Sequence, residues 1–403
     1  MSLTAERPPT QSGAALTATV LGAVVLITAI APLATDLYVP AFPLVTRDLG
    51  ASASEVQLTL TTFFVGMALG QLLGGPFSDR FGRRRPLLVS LVVLTVTSAL
   101  CAFSPSIGLM MLARLVQGFS GGWAMVIARS IVVDLTSGAR LVRTLNLVSG
   151  IAGVAPIAGP LIGAAVLQLS HWRGSFWIVA ALAALMVVTV AIGVPETLRH
   201  VGTPPRWSGE VLRNRAFAGY LVVFAFSMGT IFAYVATSAF VLQSMNGLSP
   251  VTYSVDFALN AVGLTVATLI AARLADRLRT RTVVGAGLIA TAAAGAALLV
   301  GAIWFGMPLP LALIGFFVLM TAQGFIGPNA GALASAQVPD HPGTGSALLG
   351  FLQWCVAGVI APVAGLGGER TAVPMAGIVL ALTSFSLLAL VTCQKGSLPC
   401  VES

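Results

Sequence analysis

Three ionisable side chains lie where apolar residues surround them, and each has the type to do proton chemistry. Asp36 stands in Ala34-Thr35-Asp36-Leu37-Tyr38-Val39-Pro40, Arg114 in Arg114-Leu115-Val116-Gln117-Gly118, and Asp256 in Tyr253-Ser254-Val255-Asp256-Phe257-Ala258-Leu259-Asn260. Apolar burial disfavours the charged form of a carboxylate and a nearby cation favours it, so an acid and an arginine together can bind and release a proton on demand. A competing solute can empty such a site. Plainer readings stand beside this one: Asp36 or Asp256 as a solvated acid at an outer helix end, and Arg114 as a cation whose long stem reaches an interface. His171, His200 and His341 fall in predicted loops, which leaves the carboxylates as proton carriers. Cys101 and Cys355 lie in apolar runs and Cys393 and Cys400 near the C-terminal end, without metal or disulfide spacing. No Ser/Lys or Asp/Asp dyad and no G-x-x-x-x-G-K-[ST] loop is present, so neither an enzyme nor an ATP-driven machine is expected. No cofactor or metal is expected either; the energy source is a proton gradient.

The elements that hold these groups are apolar helices. Of 403 residues 57% are hydrophobic and 8% charged, against about 25% charged in a soluble domain. Crossing a bilayer takes roughly 20 apolar residues. Twelve windows satisfy this, near 16–43, 55–76, 86–104, 107–133, 144–169 and 174–194, then 217–241, 252–274, 282–304, 309–336, 344–366 and 373–394. The expected fold is an all-α membrane protein with two pseudo-symmetric six-helix bundles, 16–194 and 217–394. A polar linker (195–216) joins them, and short cytoplasmic segments, 1–15 and 395–403, flank them. The first window exceeds the 7 to 15 apolar residues of a signal peptide, so it reads as an uncleaved span.

Cations set the orientation, because lysine and arginine stay on the cytoplasmic side of short loops. With the N-terminus inside, sixteen of the 21 fall in inner segments and three, Arg47, Arg173 and Arg370, outside. Arg114 and Arg129 lie within the fourth span. Both termini are thus expected in the cytoplasm of a cell whose inner membrane holds the chain. The net charge of +8 belongs to these groups and forms no basic domain, so nucleic acid is not an expected partner. The halves repeat: Gln117-Gly118-Phe119 returns as Gln323-Gly324-Phe325, and Ala155-Pro156-x-Ala158-Gly159 as Ala361-Pro362-x-Ala364-Gly365, both 206 residues later. Parallel six-helix repeats around a midplane site are a transporter architecture.

Between the second and third spans the chain reads Gly75-Pro76-Phe77-Ser78-Asp79-Arg80-Phe81-Gly82-Arg83-Arg84. Gly75 and Gly82 permit a tight turn and close helix approach, and Asp79 is the lone acid among arginines. This pattern resembles the signature of the major facilitator superfamily, in which the loop acts as a cytoplasmic gate. Asp276-Arg277 resembles its degenerate copy. Arg114-x-x-Gln117-Gly118 resembles the family's span-four motif, which implies a cation tuning a proton-binding carboxylate. Gly153, Pro156, Gly159, Pro160 and Gly163 put small residues and prolines in span five, where Ala155, Gly159 and Gly163 form a face for helix packing matched by Gly263, Ala267 and Ala271 in span eight. Gly159-Pro160-x-x-Gly163 also resembles the motif of superfamily antiporters.

A narrower resemblance rests on Thr35 to Ala41, Gln57-Leu58-Thr59-Leu60, Phe232-Ala233-Tyr234, Phe240 to Gln243, Gly247 to Pro250, Phe257 to Asn260 and Gly327-Pro328-Asn329. These are similar to the bicyclomycin and chloramphenicol resistance family of drug:proton antiporters, although Asp256 replaces the apolar residue usual beside Phe257. The resemblance implies proton-coupled efflux of small amphipathic drugs by a monomer, with a nutrient importer or facilitator on the same fold as the alternative. Tyr38, Tyr234, Phe232, Met228, Phe224, Asn260 and Gln117 are candidate substrate contacts, or core packing. Asp36, Arg114 and Asp256 are the candidate coupling groups, and Gly75, Asp79, Arg80, Gly82, Arg83, Arg84, Asp276 and Arg277 the gate.

Overall fold

A computed structural model describes residues 16–198, 210–274, 277–338 and 342–392. Regular structure among these residues is helical throughout, and twelve segments are long and apolar enough to cross a membrane. The first six spans comprise α1 (Ala18–Asp36) continued by α2 (Phe42–Leu49), α3 (Ala53–Phe81), α4 (Arg84–Phe103), α5 (Ile107–Leu135), α6 (Gly138–Ala152) continued by α7 (Ala155–Leu169), and α8 (Arg173–Gly193). A short α9 (Glu210–Arg213) precedes α10 (Arg215–Ala239), α11 (Pro250–Leu274), α12 (Thr280–Trp304), α13 (Leu309–Ala336), α14 (Pro342–Ala364) and α15 (Val373–Thr392).

Local chemistry starts these helices. Ser52 and Glu55 close a reciprocal capping box, Glu55 Oε2 accepting from Ser52 N at 2.7 Å and Ser52 Oγ from Glu55 N at 3.2 Å. Asn214 Oδ1 accepts from Ala216 N and Phe217 N at 3.0 and 3.1 Å and so opens α10. On α4 the side chains Val89, Val92, Val96, Leu100 and Phe103 all face outward, recurring every three or four residues. Water would not tolerate that stripe; lipid does.

Two spans expected to be continuous are broken. The first leaves α-helical geometry after Asp36, passes through a 3-10 turn at Val39–Ala41 and resumes as α2. The fifth breaks at Gly153–Val154 between α6 and α7, and Gly153 is exposed in that turn, so it marks the break and not a packing face. Spans five and eight do pack against each other through α7 and α11, but the glycines of their small faces look elsewhere. A Cβ on Gly159 would meet Asp36, and one on Gly163 would meet the Leu37 carbonyl, both at the end of α1. Gly263 instead abuts Thr321 and Phe317 of α13. These glycines serve crossings within their own set of six spans, where the missing side chain lets the neighbouring helix approach.

The 206-residue repeat has a structural counterpart. Gln117 Nε2 donates to Ser98 Oγ of α4 at 2.8 Å, and Gln323 Nε2 to Thr291 Oγ1 of α12 at 3.1 Å. The glycines that follow pack against backbone, Gly118 on Phe63 and Gly324 on Leu264. The second repeated motif diverges, since α7 continues for ten residues past Gly159 whereas α14 ends before Gly365. Among the described residues, hydrogen bonds from Ser54 Oγ to Gly365 O (3.1 Å), Gln57 Nε2 to Ala236 O (2.9 Å) and Gln243 Nε2 to Pro40 O (3.0 Å) join the first six spans to the last six. All lie toward the end opposite the arginine-rich turn, which closes the bundle there. Gln243 sits in a π-helical stretch, Phe240–Met245, that extends α10.

Candidate functional site

At the basic end the signature segment is mostly helix, not loop. α3 runs through Phe81 and α4 starts at Arg84, so Gly82 and Arg83 alone make the turn. Gly82 has φ of 90°, a conformation open to glycine, and a Cβ there would stand 2.6 Å from Glu196 Oε2. Close helix approach falls to Gly74, whose Cβ would lie 2.9 Å from Val126, while one on Gly75 would make an ordinary 3.8 Å contact. Arg83 is buried and pairs with Asp79 at 2.5 Å and Asp134 at 3.0 Å, with Ser78 Oγ accepting at 2.7 Å. Burial alone would lower its pKa, but the Asp134 and Asp79 carboxylates outweigh that and hold it above the ordinary arginine value.

Glu196 caps this turn from the far end of the first six spans. Its carboxylate accepts from Arg83 N (2.8 Å), Arg84 N, Thr197 N and Leu198 N (each 3.1 Å). Two of these donors are free N–H groups at the start of α4, where an anion is favoured. Burial works to raise the Glu196 pKa, and the four backbone donors overcome it and hold the carboxyl below its usual range. Arg84 Nη2 also reaches Ala191 O at 2.6 Å. Arg80 is exposed and lies over the Phe81 ring at 5.5 Å. Arg277 is exposed; Asp276 lies outside the described residues.

Arg114 is fully buried in α5 and therefore reaches no interface. One nitrogen, Nη1, donates to Ala34 O (3.1 Å) and Gln117 Oε1 (2.8 Å). The guanidinium carbon lies 4.3, 5.4 and 5.7 Å from the rings of Phe63, Tyr38 and Phe176, a cage that stabilises a cation where water is absent. Arg114 Nε and Nη2 have no hydrogen-bond partner. Gln117 is buried and bonded to both Arg114 and Ser98. Tyr38 is likewise core: Thr59 Oγ1 donates to its hydroxyl at 3.3 Å, and its ring packs on Phe42 and Phe176 at 4.9 and 5.0 Å.

Asp36 is the last residue of α1 and is buried. Thr35 Oγ1 donates to its Oδ1 at 3.0 Å. Gly159 of α7 sits against it so closely that a Cβ would come within 2.9 Å of Asp36 Cβ. Arg114 makes no ion pair with Asp36; it grips the backbone carbonyl two residues earlier, so cation and acid share one helix end without touching. Across the interface, Asp256 is half-buried on α11 and accepts from Asn260 Nδ2 at 2.9 Å. The same Nδ2 donates to Tyr234 Oη at 2.9 Å. Ser238 Oγ bonds Tyr253 Oη at 3.0 Å.

Phe64 of α3 meets Phe232 of α10 and Trp354 of α14 at ring separations of 4.6 and 5.6 Å, and those two are 5.6 Å apart. Trp354 Nε1 and, nearby on α3, Thr61 Oγ1 are buried without a partner. Of the candidate contacts on α10, Phe232 belongs to this cluster, whereas Met228 and Phe224 pack over Gly327 and Gly331 of α13. A cavity of about 350 Å³ opens elsewhere, lined by Leu274, Val283, Phe317 and Phe325 among others; it holds no ionisable group and suits lipid. Sequence reasoning missed Asp134, Phe64, Thr61, Ser238 and Trp354, and placed Glu196 only in a linker. An acid at a span end three residues before a helix break was the available signal for Asp134.

The whole chain also has relatives of known fold. The model of the Major Facilitator Superfamily matches residues 24–362. An uncharacterized MFS-type transporter, YdgK, of Bacillus subtilis (strain 168) is 34% identical over 373 residues, covering 90% of this chain and 92% of its own. A bicyclomycin resistance protein homolog of Haemophilus influenzae is 28% identical over 378 residues (90% and 93%). The multidrug resistance protein MdtL of Klebsiella pneumoniae is 27% identical over 367 residues (89% and 91%). Among solved structures, a bacterial homolog of the human lysosomal transporter Spinster superposes with a TM-score of 0.75 at 16% identity, over 93% of this chain and 97% of that one. A D-xylose-proton symporter gives 0.72 at 14% (94% and 97%). At such identities the structural likeness speaks to the fold.

Proposed function

The chain belongs to the major facilitator superfamily and is a secondary transporter, not an enzyme, and from that premise we propose that it exports small amphipathic drugs in exchange for protons. The observation that carries this reading is Gly159 lying against Asp36. The segment that resembles the antiporter motif thereby packs on the buried acid best suited to hold the proton. Relatives named for bicyclomycin and multidrug resistance support the same direction.

In the proposed cycle the basic end faces the cytoplasm, as cation distribution favours, with both termini inside the inner membrane of the cell and the chain acting as a monomer. The two bundles are 16–194 and 217–394. Asp36 takes a proton from outside as drug leaves outward, rocking opens the site to the cytoplasm, drug binding between the bundles displaces the proton inward, and rocking back carries the drug out. Arg114 and Asp256 bias the Asp36 proton from either side of the interface. Phe64, Phe232 and Trp354, with the unpaired Trp354 N–H, supply a cluster of mutually tilted rings and one donor, which fits an aromatic drug carrying an acceptor group such as a phenicol. The Arg83, Asp79, Asp134 and Glu196 network fixes the cytoplasmic turn on which the gate closes.

The energetics close with one proton. An inward charge is worth about 2.3 kcal/mol per 100 mV, and at roughly 1.4 kcal/mol per decade this sustains about a fifty-fold drug gradient without any pH difference. Inverted membrane vesicles with an imposed proton gradient test the direction. Accumulation of chloramphenicol inside them is expected; proton-driven loss from preloaded vesicles would instead identify an importer.

A further inference from the structure

We propose that Asp256, Asn260 and Tyr234 form a subsite for the N–H-bearing positive group of a cationic amphipathic substrate, an extension that rests on the export reading above. Asn260 is fully buried on α11. Its Nδ2 donates to both Tyr234 Oη and Asp256 Oδ2, each at 2.9 Å, and its Oδ1 is left buried without a partner. The opposite amide orientation would set Oδ1 against the carboxylate oxygen, which an ionised acid disfavours. A buried, unmet acceptor beside a carboxylate is costly unless something arrives to donate to it.

The inventory of the subsite is one-sided. It offers a carboxylate and an amide oxygen beside a group of aromatic rings in which Phe257 and Phe316 stand 5.3 and 5.2 Å from Tyr234. Among the described residues no lysine, arginine or histidine pairs with Asp256 or Asp36. Acceptors and aromatic rings without a resident cation complement one chemistry, a positive group bearing N–H donors. The position favours exchange as well. α11 packs on the Val39–Ala41 turn that follows Asp36 and on α7, whose Gly159 lies against Asp36, so a cation held on α11 sits beside the helix end that carries the coupling acid and competes with its proton. A neutral drug uses the aromatic cluster alone and draws nothing from Asp256.

Binding to the purified full-length chain in lipid nanodiscs tests the subsite, with rhodamine 6G as an aromatic cation carrying N–H groups and chloramphenicol as the neutral probe. Asp256→Asn is expected to weaken rhodamine 6G at least tenfold relative to chloramphenicol. Asn260→Leu, which removes the orphan acceptor and keeps the acid, should move the ratio the same way, and Asp256→Glu should keep it within threefold of wild type. A ratio within twofold of wild type in Asp256→Asn overturns the proposal, as does a wild type that binds chloramphenicol and not rhodamine 6G. If Asp256→Asn does not fold, carbodiimide labelling of wild-type Asp256, read by peptide mass spectrometry, decides the matter. Protection by rhodamine 6G and not by chloramphenicol supports the subsite, and equal protection refutes it. Failure of the export reading shows separately, as inverted vesicles that accumulate neither probe while the binding ratio stays readable.

Discussion

Substituting Gly159 by alanine adds one methyl group at the point where α7 meets the end of α1. The new Cβ would stand 2.9 Å from Asp36 Cβ, 3.6 Å from the Asp36 carbonyl carbon and 3.7 Å from Leu37 N. Carbon atoms rest at about 3.5 to 4.0 Å, so the first contact is short by roughly 0.6 to 1.1 Å while the other two are already satisfied. Relief therefore comes from moving the Asp36 side chain and the helix end with it. Overpacking of this kind costs about 1 to 3 kcal/mol, and a misplacement near 1 Å at a reacting group can lower a rate on the order of a hundredfold. Gly159→Ala is expected to lose at least tenfold in proton-driven drug accumulation by inverted vesicles, at matched protein level. Gly22→Ala is the control, because a Cβ there, on α1 itself, meets nothing within 4 Å and alanine favours a helix. Wild-type transport by Gly159→Ala, or equal loss in Gly22→Ala, would refute the coupling of this contact to Asp36.

Asp36→Asn should leave a folded, monodisperse protein that no longer couples drug to protons, and full proton-driven activity in that variant would move the coupling role to Asp256. Arg83→Ala removes a buried guanidinium from Asp79 and Asp134 and is expected to slow transport while chloramphenicol binding stays measurable; an unchanged rate would count against the gate. Glu196→Gln should lower thermal stability at neutral pH. Because the folded Glu196 carboxyl is held below its usual value, its stabilisation is complete above about pH 4.3, the ordinary glutamate value, and is lost as pH falls through the lower folded one. The gap in melting temperature between wild type and Glu196→Gln should therefore shrink below about pH 4, and a constant gap would refute the assignment. Trp354→Phe keeps the ring and removes the unpaired N–H; a fivefold or greater rise in the chloramphenicol Kd is expected, and no change would exclude that donor as a drug contact.

What the sequence makes legible is whatever depends on near neighbours in the chain. Apolar length marks the twelve spans, and Ser52 with Glu55 opens α3 as their spacing requires. The buried setting of Asp36 and Arg114 is readable because a charge is costly to keep inside an apolar run and rarely stands there without a use. Partners far apart in sequence are not readable. Glu196 meets Arg83 across 113 positions, and nothing in a single polar linker residue tells which helix end it caps. The aromatic cluster draws one ring from each of three spans, and many rings share that composition. Gly159 and Gly163 announce a close approach but not its partner, so their spacing alone could not choose α1 over span eight. Gln117 and Tyr38 resemble pocket residues by type, and their burial against Arg114, Ser98 and Thr59 comes from partners that their own sequence neighbourhood does not name.

The two glutamines of the repeat carry a consequence of their own. Gln117 and Gln323 hold the same position in the two bundles, each donating to a hydroxyl on the preceding span. Their carbonyl oxygens, however, accept from different groups: Arg114 on one side and Ser227, at 2.6 Å, on the other. A duplicated frame has thus kept its carpentry while its two copies took up separate trades. The copy with the arginine answers to electric charge, and the copy with the serine does not. Ancestry shared between halves is then a guide to where a side chain will stand, and a poor one to what it will do there.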